Sequence, residues 1–173
     1  MKAWRVLLVL AGVATLAVPA AIVARHERLL DQGRPVLLEL RPVDPRSLLQ
    51  GDYMALDYRL TEAVDRTLGS TSLPMAQHGA VLYAFVLLDR DGVGRLQRVG
   101  NAPGGIRPGE MVLRLRWQRG RSVLPSHSYF FAEGQAARYE QARYALWRVG
   151  PGGRALLAGL ADAQRRVIAD KAN

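Results

Sequence analysis

Residues 80–100 read AVLYAFVLLDRDGVGRLQRVG: an apolar run, a turn and a more polar return. Residues 80–89 are almost continuously apolar and include β-branched and aromatic side chains, the pattern of a central strand buried on both faces. Asp91-Gly92 follows, a strong hairpin signal because this pair accepts the positive φ of a tight turn. A partner strand is therefore predicted over 95–100. After the turn-rich stretch 101–109, EMVLRLRWQ (110–118) alternates more cleanly than any other segment. Met111, Leu113, Leu115 and Trp117 share one face, and Arg114 and Arg116 the other. Three strands in this order make an antiparallel sheet.

Working outward, PVLLELRPVDP (35–45) reads as a strand closed by Pro42 and Pro45, which cannot continue a ladder. DYMALDYRL (52–60) alternates and reads as another strand, with Met54, Leu56, Tyr58 and Leu60 inward and Tyr53 and Asp57 on the second face. Residues 61–68 suit a short helix capped by Thr61, and 69–79 a loop. Downstream, 126–133 reads as a short strand and 133–142 as the best helix outside the N-terminal segment. YALWRV and RALLAGL, joined by GPGG (150–153), form a closing hairpin, followed by a polar, helical tail. LLQGDYMAL and IRPGEMVLR look like a repeat. Aligned on Gly51 and Gly109, however, Met54, Leu56 and Tyr58 fall opposite Val112, Arg114 and Arg116, so the apolar face inverts. They are two turns of one type.

Ahead of this region, residues 6–24 carry no charged or strongly polar side chain. At ~1.5 Å per residue they just cover ~30 Å of hydrocarbon. A cleaved signal peptide competes, with Val18 and Ala20 as the small residues before a cut. The apolar stretch runs past that point and is closed by Arg25, His26, Glu27 and Arg28, which favours an anchor. Lys2, Arg5 and the short N-terminal tail place the N-terminus in the cytoplasm and the rest outside it, although Arg25 and Arg28 blunt the bias. The division expected is a cytoplasmic tail (1–5), a transmembrane signal-anchor (6–24), a stalk (25–34), a β-rich domain (35–160) and a polar tail (161–173). The fold class is β-rich α+β: an antiparallel sheet or small open barrel with one main helix, preceded by one transmembrane helix.

The formal net charge is +9, carried almost wholly by arginine, since Lys2 and Lys171 are the only lysines. The arginines are scattered, with the densest group at Arg114, Arg116, Arg119 and Arg121, and no aromatic-studded basic helix accompanies them. Nucleic acid is not the partner this pattern implies. With no cysteine, thiolate chemistry and disulfides are excluded.

Candidate chemistry is sparse. Asp52 and Asp57 as paired carboxylates would sit five apart on a strand and point to opposite faces. The plainer assignment has Asp52 accepting from turn amides and Asp57 beside Arg59 or a cross-strand arginine. His78 and His127 lack metal-ligand spacing. Ser126, His127 and Ser128 are adjacent on a strand and face apart, which does not suit a nucleophile and its base. The glycines at 104–105 and 150–153 lack the strand-to-helix context of a phosphate loop.

GDYMALDY (51–58) resembles the signature of the GDYXXLXY family, with Gly51, Asp52, Tyr53, Leu56 and Tyr58 in the named positions. The resemblance extends upstream through PVDPRSLLQ and downstream through SYFFAEGQAARYEQARYALWRV and GRALLAGL. That later block contains Glu133, Gly134, Tyr139 and Glu140. Glu133 stands at the start of the expected 133–142 helix, where an acid meets the positive dipole end. Tyr139 suits a core or interface better than catalysis. The resemblance implies a bacterial protein with one N-terminal membrane segment, encoded near polytopic membrane proteins, and brings no catalytic residues with it. A weaker similarity to signal peptidases rests on Leu48, Gly51 and Asp52. It fails at Arg46, in the proline position, and at Val43, in the nucleophile position. Neither lysine lies in the folded domain, and arginine cannot serve as the base.

The expectation is an extracytoplasmic domain anchored in a bacterial cytoplasmic membrane, serving as an interaction or accessory module for an integral, polytopic membrane partner. The alternative is an envelope hydrolase or ligand-binding protein using the face of Tyr53 and Asp57. No catalytic residue, metal or cofactor is implied, the balance lies against an enzyme, and the oligomeric state is left open. The motif residues Gly51, Asp52, Tyr53, Leu56, Asp57 and Tyr58 are assigned an architectural or interaction role. Gly51 would take a turn conformation braced by Asp52.

Overall fold

One helix, α1 (Lys2–Gln32), runs unbroken through the apolar stretch and past Arg25 and Arg28, with Pro19 inside it. It is long and apolar enough to cross a membrane, and its candidate span is not buried against the rest of the chain. Trp4, Leu7, Leu10, Leu16 and Ile22 are exposed large apolar side chains along it. The helix ends where the Gly33 amide donates to Leu29 O (2.9 Å). Any side chain at Gly33 would collide with that carbonyl, so only glycine closes the helix this tightly. Arg148 Nη1 donates to Gly33 O at 3.3 Å and ties the helix end to the domain.

The computed structural model describes residues 2–41, 53–70 and 78–168. Within them the chain continues as β1 (Arg34–Glu39), β2 (Tyr53–Ala55), α2 (Arg59–Ser70), β3 (Val81–Leu88), β4 (Gly94–Gly100), β5 (Glu110–Gln118), β6 (Arg121–Val123), β7 (Ser128–Phe130), α3 (Ala136–Tyr139), β8 (Tyr144–Val149) and β9 (Ala155–Ala161). A 3-10 turn, Pro151–Gly153, joins the last two strands. The strands form three antiparallel sheets, ordered β1-β8-β9, β2-β7 and β4-β3-β5-β6. The fold is therefore β-rich and antiparallel with few helices, as the alternation predicts. A parallel bridge, Leu37↔Val93, stitches the first sheet to the β3–β4 turn.

One core fills the space between the sheets. Leu38 of β1, Val86 of β3, Leu113 of β5, Trp147 of β8 and Leu160 of β9 all reach it and are at most 1% exposed. On β5, Met111, Leu113 and Leu115 point inward, while Arg114 is half-buried and Arg116 exposed. Period-two patterning is what lets one strand serve a dry face and a wet one.

Several expectations are corrected. Among the described residues, the strand expected over 52–60 is a ladder only at Tyr53–Ala55, followed by single backbone contacts at Leu56 and Asp57 and a bridge at Tyr58↔Leu40, and Arg59 already belongs to α2. Thr61 is inside this helix rather than at its cap, with Oγ1 donating to Tyr58 O at 2.8 Å. The helix expected over 133–142 is four residues long, and the 12-residue α2 is the domain's main helix. Good helix formers at 136–142 lose to two demands: Gly134 takes φ 79°, and the chain must be extended again by Tyr144 for β8. Glu133 thus sits in a turn ahead of α3. Strand β1 stops at Glu39, and β6, unforeseen, folds back across Arg119 (φ 51°) and Gly120 (φ 78°). Residues 69–70 lie in α2 rather than in a loop.

The tail is not helical over 162–168. Asp162 Oδ1 accepts from the Gln164 and Arg166 amides (2.8 and 3.0 Å), and Oδ2 pairs with the Arg166 guanidinium. The side chain thereby satisfies amides that a helix would otherwise need, and Ile168 N returns to Leu160 O at 2.8 Å.

Candidate functional site

The motif region is a two-stranded ribbon. Tyr53, Met54 and Ala55 of β2 pair with Phe130, Tyr129 and Ser128 of β7, and Leu56 N then donates to His127 O at 2.9 Å. Gly51 and Asp52, with the turn assigned to them, lie outside the described residues. From Tyr53 onward, alternation sorts the side chains: Met54, Leu56, Tyr58 and Leu60 are 3–6% exposed. Tyr53 and Asp57 are half-buried on the other side.

Tyr58 is the pivot of the inner side. Its hydroxyl donates to Ser126 O at 3.0 Å, and its ring meets Trp147 edge-on with centroids 5.9 Å apart. Burial pushes its phenol far above the usual tyrosine range, so it stays a neutral donor. The Trp147 indole opposes that shift, although its Nε1 falls short of hydrogen-bond geometry with any partner. Tyr139 of α3 is also fully buried, stacked on Phe131 at 5.0 Å and tilted against Tyr129 at 5.2 Å. It is the peg that fastens α3 to the ribbon. Glu133, Gly134 and Glu140, from the same block, are exposed around it.

The outer side has different chemistry. Tyr53 and Phe130 form a cross-strand aromatic pair, centroids 5.7 Å apart, and Phe130 is 73% exposed. Asp57 Oδ1 accepts from Tyr58 N at 3.0 Å, and Oδ2 pairs with Arg41 at 3.3 Å. Of the two partners considered for Asp57, the cross-strand arginine is the one present. Arg59 instead pairs with Glu39, which also holds Arg95.

Ser126, His127 and Ser128 all offer backbone carbonyls, and among the described residues only Ser126 adds a side-chain hydrogen bond. The first two present carbonyls to Tyr58 and Leu56, and Ser126 Oγ donates to Ser128 O at 2.9 Å. Among the described residues no group of three or more His, Asp or Glu side chains is placed to hold a metal ion.

Two features escaped the sequence reading. Phe130 was discernible, since SYFF on a strand must turn one aromatic outward between Tyr129 and Phe131. The second is a groove of about 1560 Å³ between α1 and the outer face of β5–β6, in which His78 and His127 sit with several arginines but neither Tyr53 nor Asp57 does. It brings together residues as distant as Arg25 and Arg154, which no local pattern connects. Its one acid, Glu110, is nearly buried and paired with Arg98 at 2.9 Å. Arg98 in turn lies 3.4 Å over the Phe85 ring. Hydrogen bonds from Arg98 and from the Arg107 amide hold the Glu110 carboxyl below the usual range.

A family model described as GDYXXLXY protein matches the chain over residues 15–160. No curated protein and no solved structure matches it.

Proposed function

The chain belongs to the GDYXXLXY family, and from that premise we propose that it is a single-pass membrane-anchored interaction module whose domain docks onto an integral membrane partner. The observation that carries this reading is the exposed Phe130, paired with half-buried Tyr53 on the outer side of the motif. A large aromatic held in place on a strand and left in water is the kind of residue that anchors protein interfaces. The motif's inner side is spent on packing, which leaves the outer side for recognition. The N-terminal helix supplies the anchor, Lys2 and Arg5 favour a domain outside the cytoplasm, and the family resemblance supports a bacterial inner membrane. Apposition in one bilayer makes a polytopic protein the fitting partner.

The competing reading, a hydrolase or ligand-binding protein using Tyr53 and Asp57, has less support. Asp57 is engaged by Arg41 and by the Tyr58 amide, and neither motif residue lines the groove. A photo-crosslinking amino acid at Phe130, activated in native membranes and followed by mass spectrometry, tests the proposal. A polytopic membrane protein is the expected adduct. Recovery of the chain alone, or of soluble proteins only, would overturn it.

A further inference from the structure

The groove beside α1 is strongly and asymmetrically charged. Eight arginines and three histidines line it against the single acid Glu110, which is already committed to Arg98. Among the described residues, none of the eight has a carboxylate within ion-pair distance, whereas Arg41, Arg59, Arg95, Arg98, Arg165 and Arg166 all do. Guanidinium groups gathered without counter-charge repel one another, so an anion from outside is the natural complement.

Location narrows the anion. If residues 6–24 fill the hydrocarbon, α1 continues only ~12 Å beyond it before the domain begins. Arg25 and Arg28 then emerge at headgroup depth, and no slack linker follows, because Gly33 and Arg148 clasp the helix end to β8. Leu29 of the last turn packs on the same hairpin. Opposite this wall stands the β5–β6 hairpin, whose outer face carries Arg114, Arg116 and Arg121. The floor is built to hold that spacing. Gly153 takes φ 78°, and a Cβ there would come within 3.0 Å of Arg114 N, so glycine lets the 3-10 turn lie directly on β5. Exposed Ile22, one helical turn before Arg25 and His26 on α1, lines the groove, and exposed Ile106 shares the lining. Charge next to an apolar track fits an amphiphile better than a free ion.

We propose that this groove binds the phosphate-bearing headgroup of an anionic phospholipid from the leaflet that α1 enters, with its acyl chains running along the Ile22 side of the helix. The arginines are fork-shaped donors that match phosphate oxygens, and phosphate would supply the missing counter-charge. This rests on α1 being a membrane anchor but not on the docking partner, since it uses a different surface from Tyr53 and Phe130. Bound lipid would fix the tilt of the domain on the bilayer and so aim the motif's outer side.

The full-length chain would be reconstituted with phosphatidylcholine, with or without phosphatidylglycerol, and the lipid retained after detergent extraction read by native mass spectrometry. Phosphatidylglycerol should be retained at least about tenfold over phosphatidylcholine. The triple variant Arg116→Gln, Arg121→Gln, Arg154→Gln, all at exposed positions, should fall toward parity with an unchanged thermal unfolding midpoint. Equal retention of both lipids, or undiminished retention by a folded variant, overturns the proposal. Displacement of the lipid by inorganic phosphate would reassign the site to a soluble anion and overturn it too. Flotation with phosphatidylcholine vesicles alone reads the anchor separately: failure there removes anchor and groove together, whereas flotation without lipid preference removes only the groove.

Discussion

On the inner side of the β2–β7 ribbon, Met54, Leu56, Tyr58 and Tyr139 are almost wholly excluded from water; on the outer side, Tyr53 is half-buried and Phe130 largely exposed. Both sides are rich in aromatic side chains, and one short ribbon separates them. What distinguishes them is whether an aromatic is enclosed on every side. Tyr58 meets Trp147 and Tyr139 meets Phe131, whereas Phe130 meets Tyr53 on one flank and solvent on the other. A motif can therefore be demanding in sequence for two reasons at once, and the named positions Leu56 and Tyr58 belong to the first.

The largest effect that sharpens this contrast should come from Tyr58→Ala, which removes a buried ring and should destabilise the domain by about 3–5 kcal/mol. The check is denaturant unfolding of the detergent-solubilised chain, followed by tryptophan fluorescence, to which buried Trp147 contributes. A loss below ~1 kcal/mol would mean that the inner side is not core. Tyr58→Phe keeps the ring and orphans only the Ser126 carbonyl, so ~1–3 kcal/mol is expected.

Glu110 gives the next test, with a pH signature. Its carboxyl is held below the usual range, so its contribution is present at neutral pH and is lost as acid protonates it in the folded state. Glu110→Gln should be less stable near neutrality and show a shallower acid decline than wild type; parallel curves would dismiss the pairing. Smallest of all, Phe130→Ala and Arg41→Ala should shift stability by no more than about 0.5–1 kcal/mol, because both sites are exposed. Phe130→Ala should nevertheless abolish adduct formation from a neighbouring photo-crosslinker on the ribbon's outer face. A large stability loss in Phe130→Ala would break the contrast between the two sides.

Much of the fold was legible because alternation and turn chemistry are local. The 80–100 hairpin, the face assignment of β5 and the closing β8–β9 hairpin all follow from period two and from glycine-bearing turns. Helix content was misjudged for a reason of the same scale. The residues at 133–142 are better helix formers than those at 59–70, yet α2 can lay Leu60 and Val64 into the core, while Gly134 and the start of β8 cut α3 short. Packing of an amphipathic face outweighed propensity. For the candidate site, the inward and outward sorting of Met54 through Leu60 was readable and the outward turn of Phe130 was discernible, but which arginine pairs with Asp57 was not.

By itself the sequence determined the apolar N-terminal helix, the antiparallel β-rich class and which residues of the motif face inward, since each depends on neighbours a few positions away. Tertiary structure alone decided that Tyr139 packs on Phe131 and Tyr129 and that Arg25, Arg116 and Arg154 share one groove. Residues far apart along the chain became neighbours only when the sheets closed on a common core, and charge scattered in sequence was then concentrated in space.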